Sequence, residues 1–589
     1  MTDDREVRPQ RRVDVLLDLW VLVPVAVLCW PLLTRGGHLF SRDLVVTPRL
    51  PLRPEALGLG TGSPRAAPLD AVVGVLGLAV DGAVLGRVAV VLVLAAAGWA
   101  AHRLVRPLGV PARALAGALA VWNPFVVERL GLGQWALLAG YAALYGVVAA
   151  LRPVTPGGQG SLDRPRRGRT ARLAPWLALG ALTPTGAVLV GVSTVVLGVR
   201  SRRDTGLLAL AAAVQLPWLL PALLGGAGAV SDPAAVTAFA ARPERTGPAV
   251  LSLVGLGGIW DGQSVPGSRT GWLGHLTTVL VVLVLLVAAR RGLGPSVPGR
   301  AVWAWGLGAL VVAALTSIGP VGVVVADLTE VVPGLGLLRD GQKWLAPFVV
   351  LTVVAAALAA QLGLAAVRRR LPVLAPTALA LAVLAPFVLL PDAAVVVHRV
   401  LTPVTYPAEL AAAARVVVAD PRPVVSLPWR LYREYGWAGP YATYDPASRW
   451  LDARVVASDD LVLGDRVVRG EDPLASAVGD VVARPGTATA GELASRGVRW
   501  VLVAVDDPAA PPLLDALGAT PGVERPVAGS AYVLFGLPGP SPDGAAAARV
   551  STATVWFVAV VDLTVALGLA VVSLAPRRGR SVRRSVTVA

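Results

Sequence analysis

Cysteine is nearly absent: the 589-residue chain has one, Cys29, inside its first apolar run. No intrachain disulfide is available, so any domain outside a membrane must hold together by packing alone. Histidine is scarce too, and His38, His102, His275 and His398 show no metal-binding spacing. His38 with Asp43 would make only an incomplete ligand set, so a divalent metal is compatible with the chain but not implied by it. Lysine is almost missing among the 53 basic residues, a bias of GC-rich bacterial coding rather than a physical requirement. Charged residues amount to 15% against 55% hydrophobic, and the mean hydropathy is +0.67. Too little charge remains to solvate a surface of this size, which excludes a soluble protein.

What is abundant is apolar sequence in runs of the ~20 residues that a helix needs to cross a bilayer. The net charge of +16 does not imply nucleic acid, because the arginines cluster at alternate ends of these runs. That is the positive-inside pattern of a membrane protein, with some attraction to anionic lipid. Arg5, Arg8, Arg11 and Arg12 put the N-terminus in the cytoplasm, ahead of a first span at Val13 to Leu33. That span is too long for a signal-peptide core and is retained. Further spans are expected near 82–101, 112–127, 133–151, 205–224, 272–289, 301–317, 344–367, 371–390 and 550–574. Between 173 and 199 the break Thr183-Pro184-Thr185-Gly186 suggests two short helices. Ala71 to Val80 is too short to span and reads as interfacial or re-entrant. The sum is about twelve crossings, an even count that leaves both basic chain ends inside.

The fold class expected is therefore an α-helical polytopic membrane protein with an extracytoplasmic α/β domain near the C-terminus. Residues 1–391 form the multi-helix part, with external loops 34–81, 225–271 and 319–343. Residues 392–548 form the external domain, and 549–589 the last helix and a basic cytoplasmic tail. Within the domain, 423–427, 454–457, 498–504 and 531–537 read as strands, and 491–495 and 511–517 as helices. No 20–50-residue period repeats, so a solenoid is not expected.

Four stretches have the residue types that chemistry needs. Arg42-Asp43 lies just past the first span: a carboxylate there suits general-base work on a hydroxyl, and a guanidinium fork suits phosphate. The bland alternative is a solvated salt pair. Asn123, Glu128, Arg129 and Gln134 sit together near membrane depth, where polar groups usually face a cavity or a partner. Glu128 is a candidate second acid or metal ligand, or the partner of a nearby arginine in a short turn. Arg339 and Lys343, in GLLRDGQK, run against the inside bias at the external end of a helix, where an anionic phosphate would compensate them. The alternative is that Asp340 pairs with Lys343. Trp429, Tyr432, Tyr435 and Trp437 offer flat aromatic faces for a sugar acceptor, or serve as interface anchors or domain core. The glycine-rich LGLGTGS at 57–63 lacks the lysine and strand of a nucleotide loop.

An acidic residue in the first external loop, many spans and an external C-terminal domain together resemble the type-C glycosyltransferases of actinobacterial type. The match rests on Arg42-Asp43 and on the topology; Arg42 stands where that family commonly has a second acid. The resemblance implies a catalytic role for Asp43; the residues themselves suggest Glu128 as its assistant and donor-phosphate contacts from Arg42, Arg339 and Lys343. It implies a polyprenyl-phosphate-linked sugar as donor, a glycan or lipid of the cell envelope as acceptor, and a place in the bacterial plasma membrane. A non-catalytic envelope scaffold and a transporter or flippase are the competing classes.

Overall fold

Uninterrupted apolar sequence folds into long helices wherever proline and charge are excluded for five or more turns. The computed structural model describes residues 4–60, 66–152, 166–201, 204–225, 232–293, 297, 299–332, 334–463, 466–547 and 549–574. Thr61 to Ser63 of the glycine-rich run, the arginine-rich loop at 153–165 and the basic tail from 575 lie outside them. Six helices are long and apolar enough to cross a membrane: Gly82–Leu104, Val110–Gly131, Trp272–Arg291, Gly341–Arg370, Pro372–Leu389 and Thr552–Leu574. Two more candidates are bent pairs, Thr205–Ala213 with Leu216–Leu224 and Gly299–Leu315 with Gly319–Val331, broken by 51° and 82°. The described residues therefore give six to eight spans, fewer than the roughly twelve expected from run length alone. The shortfall has physical causes. The opening helix Asp4–Leu28 carries Arg11, Arg12, Asp14 and Asp18 within its first fifteen residues. Trp135–Ala150 and Pro184–Gly198 are apolar but only 16 and 15 residues long. Residues 319–343, expected as a loop, begin with the helix Gly319–Val331.

The helices turn apolar side chains outward as well as inward. Val84, Val88 and Leu92 are exposed on one helix, Val279, Val282 and Leu283 on another, and Trp556, Phe557, Val560 and Leu563 on the last. Apolar faces of that extent are stable only against lipid. This is a membrane protein. Between helices the contact is close because small residues line it. A side-chain carbon on Gly98 would come 2.4 Å from Val21, and one on Gly117 2.8 Å, so Val21 of the opening helix seats in a notch that only glycine leaves open. At one end of the same helix, Asp18 meets His102 and Arg103 at 2.8 Å and Asp14 meets Arg106 at 3.2 Å.

The strands of the chain are short. A hairpin pairs β1 (Phe40–Ser41) with β2 (Leu44–Val45) in the first long loop. The C-terminal region holds β3 (Val424–Leu427), β4 (Tyr432–Arg433), β5 (Thr443–Tyr444), β6 (Val455–Val456), β7 (Leu461–Leu463), β8 (Arg466–Val468), β9 (Trp500–Ala504), β10 (Glu524–Ala528) and β11 (Tyr532–Gly536). Five of them make a mixed sheet in the order β10-β11-β9-β3-β6, parallel at β9-β3 and β3-β6 and antiparallel elsewhere. Period-two alternation sends Val425, Leu427, Val501, Val503, Val533 and Phe535 to one face, under the helices Pro473–Val482, Thr489–Ser495 and Ala510–Gly518. Val424, Trp500, Leu502, Tyr532 and Leu534 line the other, against the helix Ala408–Ala419. Coverage on both faces explains why these strands read as nearly continuous apolar runs.

The first long loop fastens this sheet region to the helices. His38 and Val404 exchange backbone hydrogen bonds at 2.8 Å. Phe40 stacks on Trp437 at 4.9 Å and meets Tyr406 and Tyr435 at 5.3 and 5.4 Å. Asp70 receives a two-pronged contact from Arg449 at 2.7 and 3.1 Å. Replacing Phe40 with Ala should cost about 3–5 kcal/mol, the usual toll for emptying a buried aromatic site. The melting temperature in detergent should fall and the sheet region should be cut faster by protease; an unchanged melt would show that the aromatic contact is not what joins the two parts.

Candidate functional site

Arg42 and Asp43 are the two turn residues of the β1-β2 hairpin. Arg42 has φ +56°, the left-handed region, which costs a residue with a side chain roughly 1–3 kcal/mol. Its side chain offsets that strain. The guanidinium pairs with Asp261, donates to Gln263 Oε1 at 2.9 Å and to Ser264 Oγ at 3.3 Å, and lies 4.2 Å over the Tyr441 ring. Its backbone N–H donates to Thr443 Oγ1 at 3.1 Å, and its carbonyl accepts from the Tyr444 N–H at 3.0 Å. From below, the Asp43 N–H donates to the Leu132 carbonyl at 3.2 Å. Gly133 permits that approach: its φ is +82°, and a side-chain carbon there would stand 2.6 Å from the Leu44 nitrogen.

Held in this way, Asp43 is exposed while its carboxylate is engaged on both oxygens. Oδ1 accepts from the Tyr432 hydroxyl and Oδ2 from Gln134 Nε2 at 2.8 Å. Gln134 Oε1 accepts from Arg129 Nη1 at 2.8 Å. A guanidinium can only donate, so the amide has one allowed orientation, its oxygen to Arg129 and its NH2 to Asp43. Arg129 then forms a two-pronged pair with Asp340, 2.7 Å on each arm, bridging 211 residues of sequence. Neither side chain reaches solvent to any useful extent. Burial by itself raises the Asp340 pKa, but Arg129, Lys343 and Arg339 outweigh it and hold the carboxyl below the usual range. Lys343, the sole lysine of the sequence, approaches Asp340 at 3.6 Å and lies within electrostatic reach of Asp43.

Glu128 is fully buried beneath this cluster. Its Oε2 accepts from Gln342 Nε2 at 2.7 Å and from the Ile259 N–H at 3.2 Å. Glu244 lies beside it and is neutralised by Arg269 at 2.8 Å. Glu128 therefore ties residues 257–259 to the turn that carries Asp340 and Lys343, and it does not face the opening at Asp43. Arg339 stacks 5.2 Å over Phe239 at the edge of the cluster and acts electrostatically on both Asp340 and Lys343.

Of the residues singled out in the sequence, the structure thus brings Asp43, Lys343 and Tyr432 together, with Arg339 at the margin. Arg42 spends its donors on the loop at 261–264. Tyr435 and Trp437 are packed among Phe40 and Tyr406, and Trp429 packs against the opposite face of the sheet, so these rings do not form one surface with Tyr432. His38 turns to Asp81 at 3.8 Å, and burial pushes its pKa down. Among the described residues, no three His, Cys, Asp or Glu side chains converge as a metal site. The residues that sequence reasoning undervalued are Arg129, Gln134, Asp340 and Gln342. Their signal was present: each is polar in an apolar setting.

No protein-family model matches the chain, and none of the curated proteins is similar to it. Among solved structures it is similar to the arabinofuranosyltransferase AftD from Mycobacteria, with 16% identity and a TM-score of 0.55 over 88% of this chain and 40% of that one. Two structures of a mutant of that protein align with TM-scores of 0.44 and 0.46 at 16% and 17% identity, each over 88% of this chain and 41% of the other. The chain thus spans about two fifths of the length of the structures it matches. At that identity the likeness is one of fold: this chain shares the fold of that part of the arabinofuranosyltransferase structure. In this fold the first long loop and the sheet region meet at Asp43, and the turn before a long helix contributes Asp340 and Lys343.

Leaving either half of the buried pair alone should be costly. Arg129→Met should destabilise the protein by about 3–5 kcal/mol, because the buried Asp340 loses both arms of its guanidinium partner and keeps only Lys343 at 3.6 Å. The double change Arg129→Met with Asp340→Leu should recover much of that loss in thermal melts. Equal stability of the single variant and the wild type would rule out a buried ion pair here.

Proposed function

We propose that the protein transfers a sugar from a polyprenyl-phosphate donor to a glycan or lipid acceptor of the cell envelope. One observation supports this above the others: an exposed carboxylate, Asp43, is joined by hydrogen bonds through Gln134 and Arg129 to Asp340, whose turn bears the cations Lys343 and Arg339. A lipid-linked phosphate approaching along the bundle would meet the cations, while a water-soluble hydroxyl would meet the acid.

In the proposed reaction Asp43 takes the proton from the acceptor hydroxyl as its oxygen attacks the anomeric carbon. The new carbon–oxygen bond forms as the bond to the donor phosphate oxygen breaks, and the phosphate leaves with the electron pair. A single displacement of this kind inverts the anomeric centre. Lys343 and Arg339 neutralise the charge gathering on the departing phosphate, in a site partly shielded from water. Arg42 fixes the turn that presents Asp43, and Glu128 braces the turn that presents Lys343; both are positioning residues. The proposed topology has both termini in the cytoplasm of a bacterial cell, with residues 34–81 and 392–548 outside the plasma membrane. The opening helix and the shorter helices Trp135–Ala150, Arg166–Gly180 and Pro184–Gly198 would bring the eight candidates to about twelve crossings.

The test is turnover by purified protein in lipid nanodiscs with a polyprenyl-phosphate arabinofuranose, the donor sugar suggested by the neighbour's name, and with other polyprenyl-phosphate pentoses and hexoses. Asp43→Asn should lower turnover by about 10²–10⁴-fold, the usual weight of a general base. Arg339→Ala should raise the donor KM about tenfold, as expected for one charged hydrogen bond. Undiminished turnover by Asp43→Asn would remove the proposed mechanism, and an unchanged donor KM would remove Arg339 from it.

A further inference from the structure

Tyr432 reaches Asp43 from the sheet region rather than from the helices. It sits on β4, in register with Tyr444 of β5, and its ring meets the Tyr444 ring edge-on at 6.0 Å. The same β5 strand is bonded to the Asp43 hairpin through Thr443 and the Tyr444 N–H. The contact between the Tyr432 hydroxyl and Asp43 is therefore built in from two sides.

The two oxygens of Asp43 are not equivalent. Oδ2 belongs to Gln134, whose orientation the buried Arg129 dictates, so that oxygen is committed to an amide. Oδ1 is the one that a proton-donating hydroxyl can use, and a hydroxyl is what it holds. The phenol of Tyr432 donates a hydrogen bond and is borne on a flat ring that meets the Tyr444 ring. Those are the features of a sugar hydroxyl on its ring, resting among aromatic faces.

We infer that the Tyr432 hydroxyl occupies the seat of the acceptor hydroxyl on Asp43, so that a sugar acceptor binds by displacing it. This rests on the transferase reading above and adds a control to it. Until an acceptor displaces it, the group on Oδ1 is one that cannot attack, because the phenol oxygen is tethered to β4. A sugar hydroxyl that reaches Oδ1 exchanges one hydrogen bond for an equivalent one while the aromatic faces receive the ring. The sheet region then sets which acceptors gain access, and the helices set which donor is used.

The experiment reads the seat directly and needs no turnover. Full-length protein in detergent is treated with a water-soluble carbodiimide and glycine ethyl ester, and labelling of Asp43 is followed by mass spectrometry. A panel of octyl glycosides (arabinofuranoside, mannopyranoside and glucopyranoside) is titrated as competitor against wild type and Tyr432→Phe. The expected result is that at least one glycoside protects Asp43, and that Tyr432→Phe reaches half-protection at a severalfold lower concentration. Tyr432→Phe keeps the ring and its contact with Tyr444, and matching melting curves exclude a folding effect. Equal or weaker protection in Tyr432→Phe, or no protection by any glycoside in either protein, overturns the inference. If Asp43→Asn is inactive in the turnover assay and protection is nevertheless equal, only the displacement idea falls. If Asp43→Asn retains full turnover, the transferase mechanism falls first.

Discussion

A guanidinium and a carboxylate buried together need partners to offset their lost hydration, and the Arg129–Asp340 pair draws them from its neighbours at every group but Arg129 Nε. Two arms of the guanidinium bind Asp340, and one of them also binds Gln134. Asp340 takes Lys343 as a further partner. Because Gln134 then has only its NH2 to offer, one oxygen of Asp43 is oriented from the protein interior. A chain of donors and acceptors with no freedom to reverse thus runs from a buried salt bridge to an exposed acid. Such an arrangement lets a carboxylate at the surface keep one geometry without being buried itself.

The same economy appears in the first long loop. Its tip must be a tight two-residue turn to aim Asp43, and Arg42 accepts a strained backbone there because its side chain is held by Asp261, Gln263, Ser264 and the Tyr441 ring. Phe40, three residues earlier, is the aromatic centre of the contact with the sheet region. A single short hairpin therefore aims the acid and joins the two halves of the molecule. Any change in how the sheet region sits on the helices is passed to Asp43 through Thr443, Tyr444 and Tyr432, with no loop long enough to absorb it.

The class of the protein was legible in its sequence because lipid imposes long apolar runs, and charges beside those runs cannot be hidden. The strands near 424, 455, 500 and 532 were legible too, since a sheet covered on both faces calls for nearly continuous apolar residues. Asp43 and Lys343 stood out for a related reason: charged residues beside a span are rare and conspicuous. Span number was less legible, because charge inside the opening helix and short helices such as Trp135–Ala150 blur the rule of length. The aromatic stretch misled in part. Trp429, Tyr432, Tyr435 and Trp437 lie within nine residues, yet strand alternation and the turn after β4 send them to different surroundings.

What the sequence alone determined is a membrane-embedded helical chain, a C-terminal α/β region and an acid just beyond the first apolar segment, because each follows from local composition and period. Which groups surround that acid was decided by the tertiary structure. Gln134, Arg129, Asp340 and Tyr432 come from three distant parts of the chain, and their meeting depends on packing: a notch at Gly133, a hairpin tip and an aromatic seam around Phe40. Such contacts are made by surfaces that fit only once the chain has folded, and no spacing along the chain encodes them.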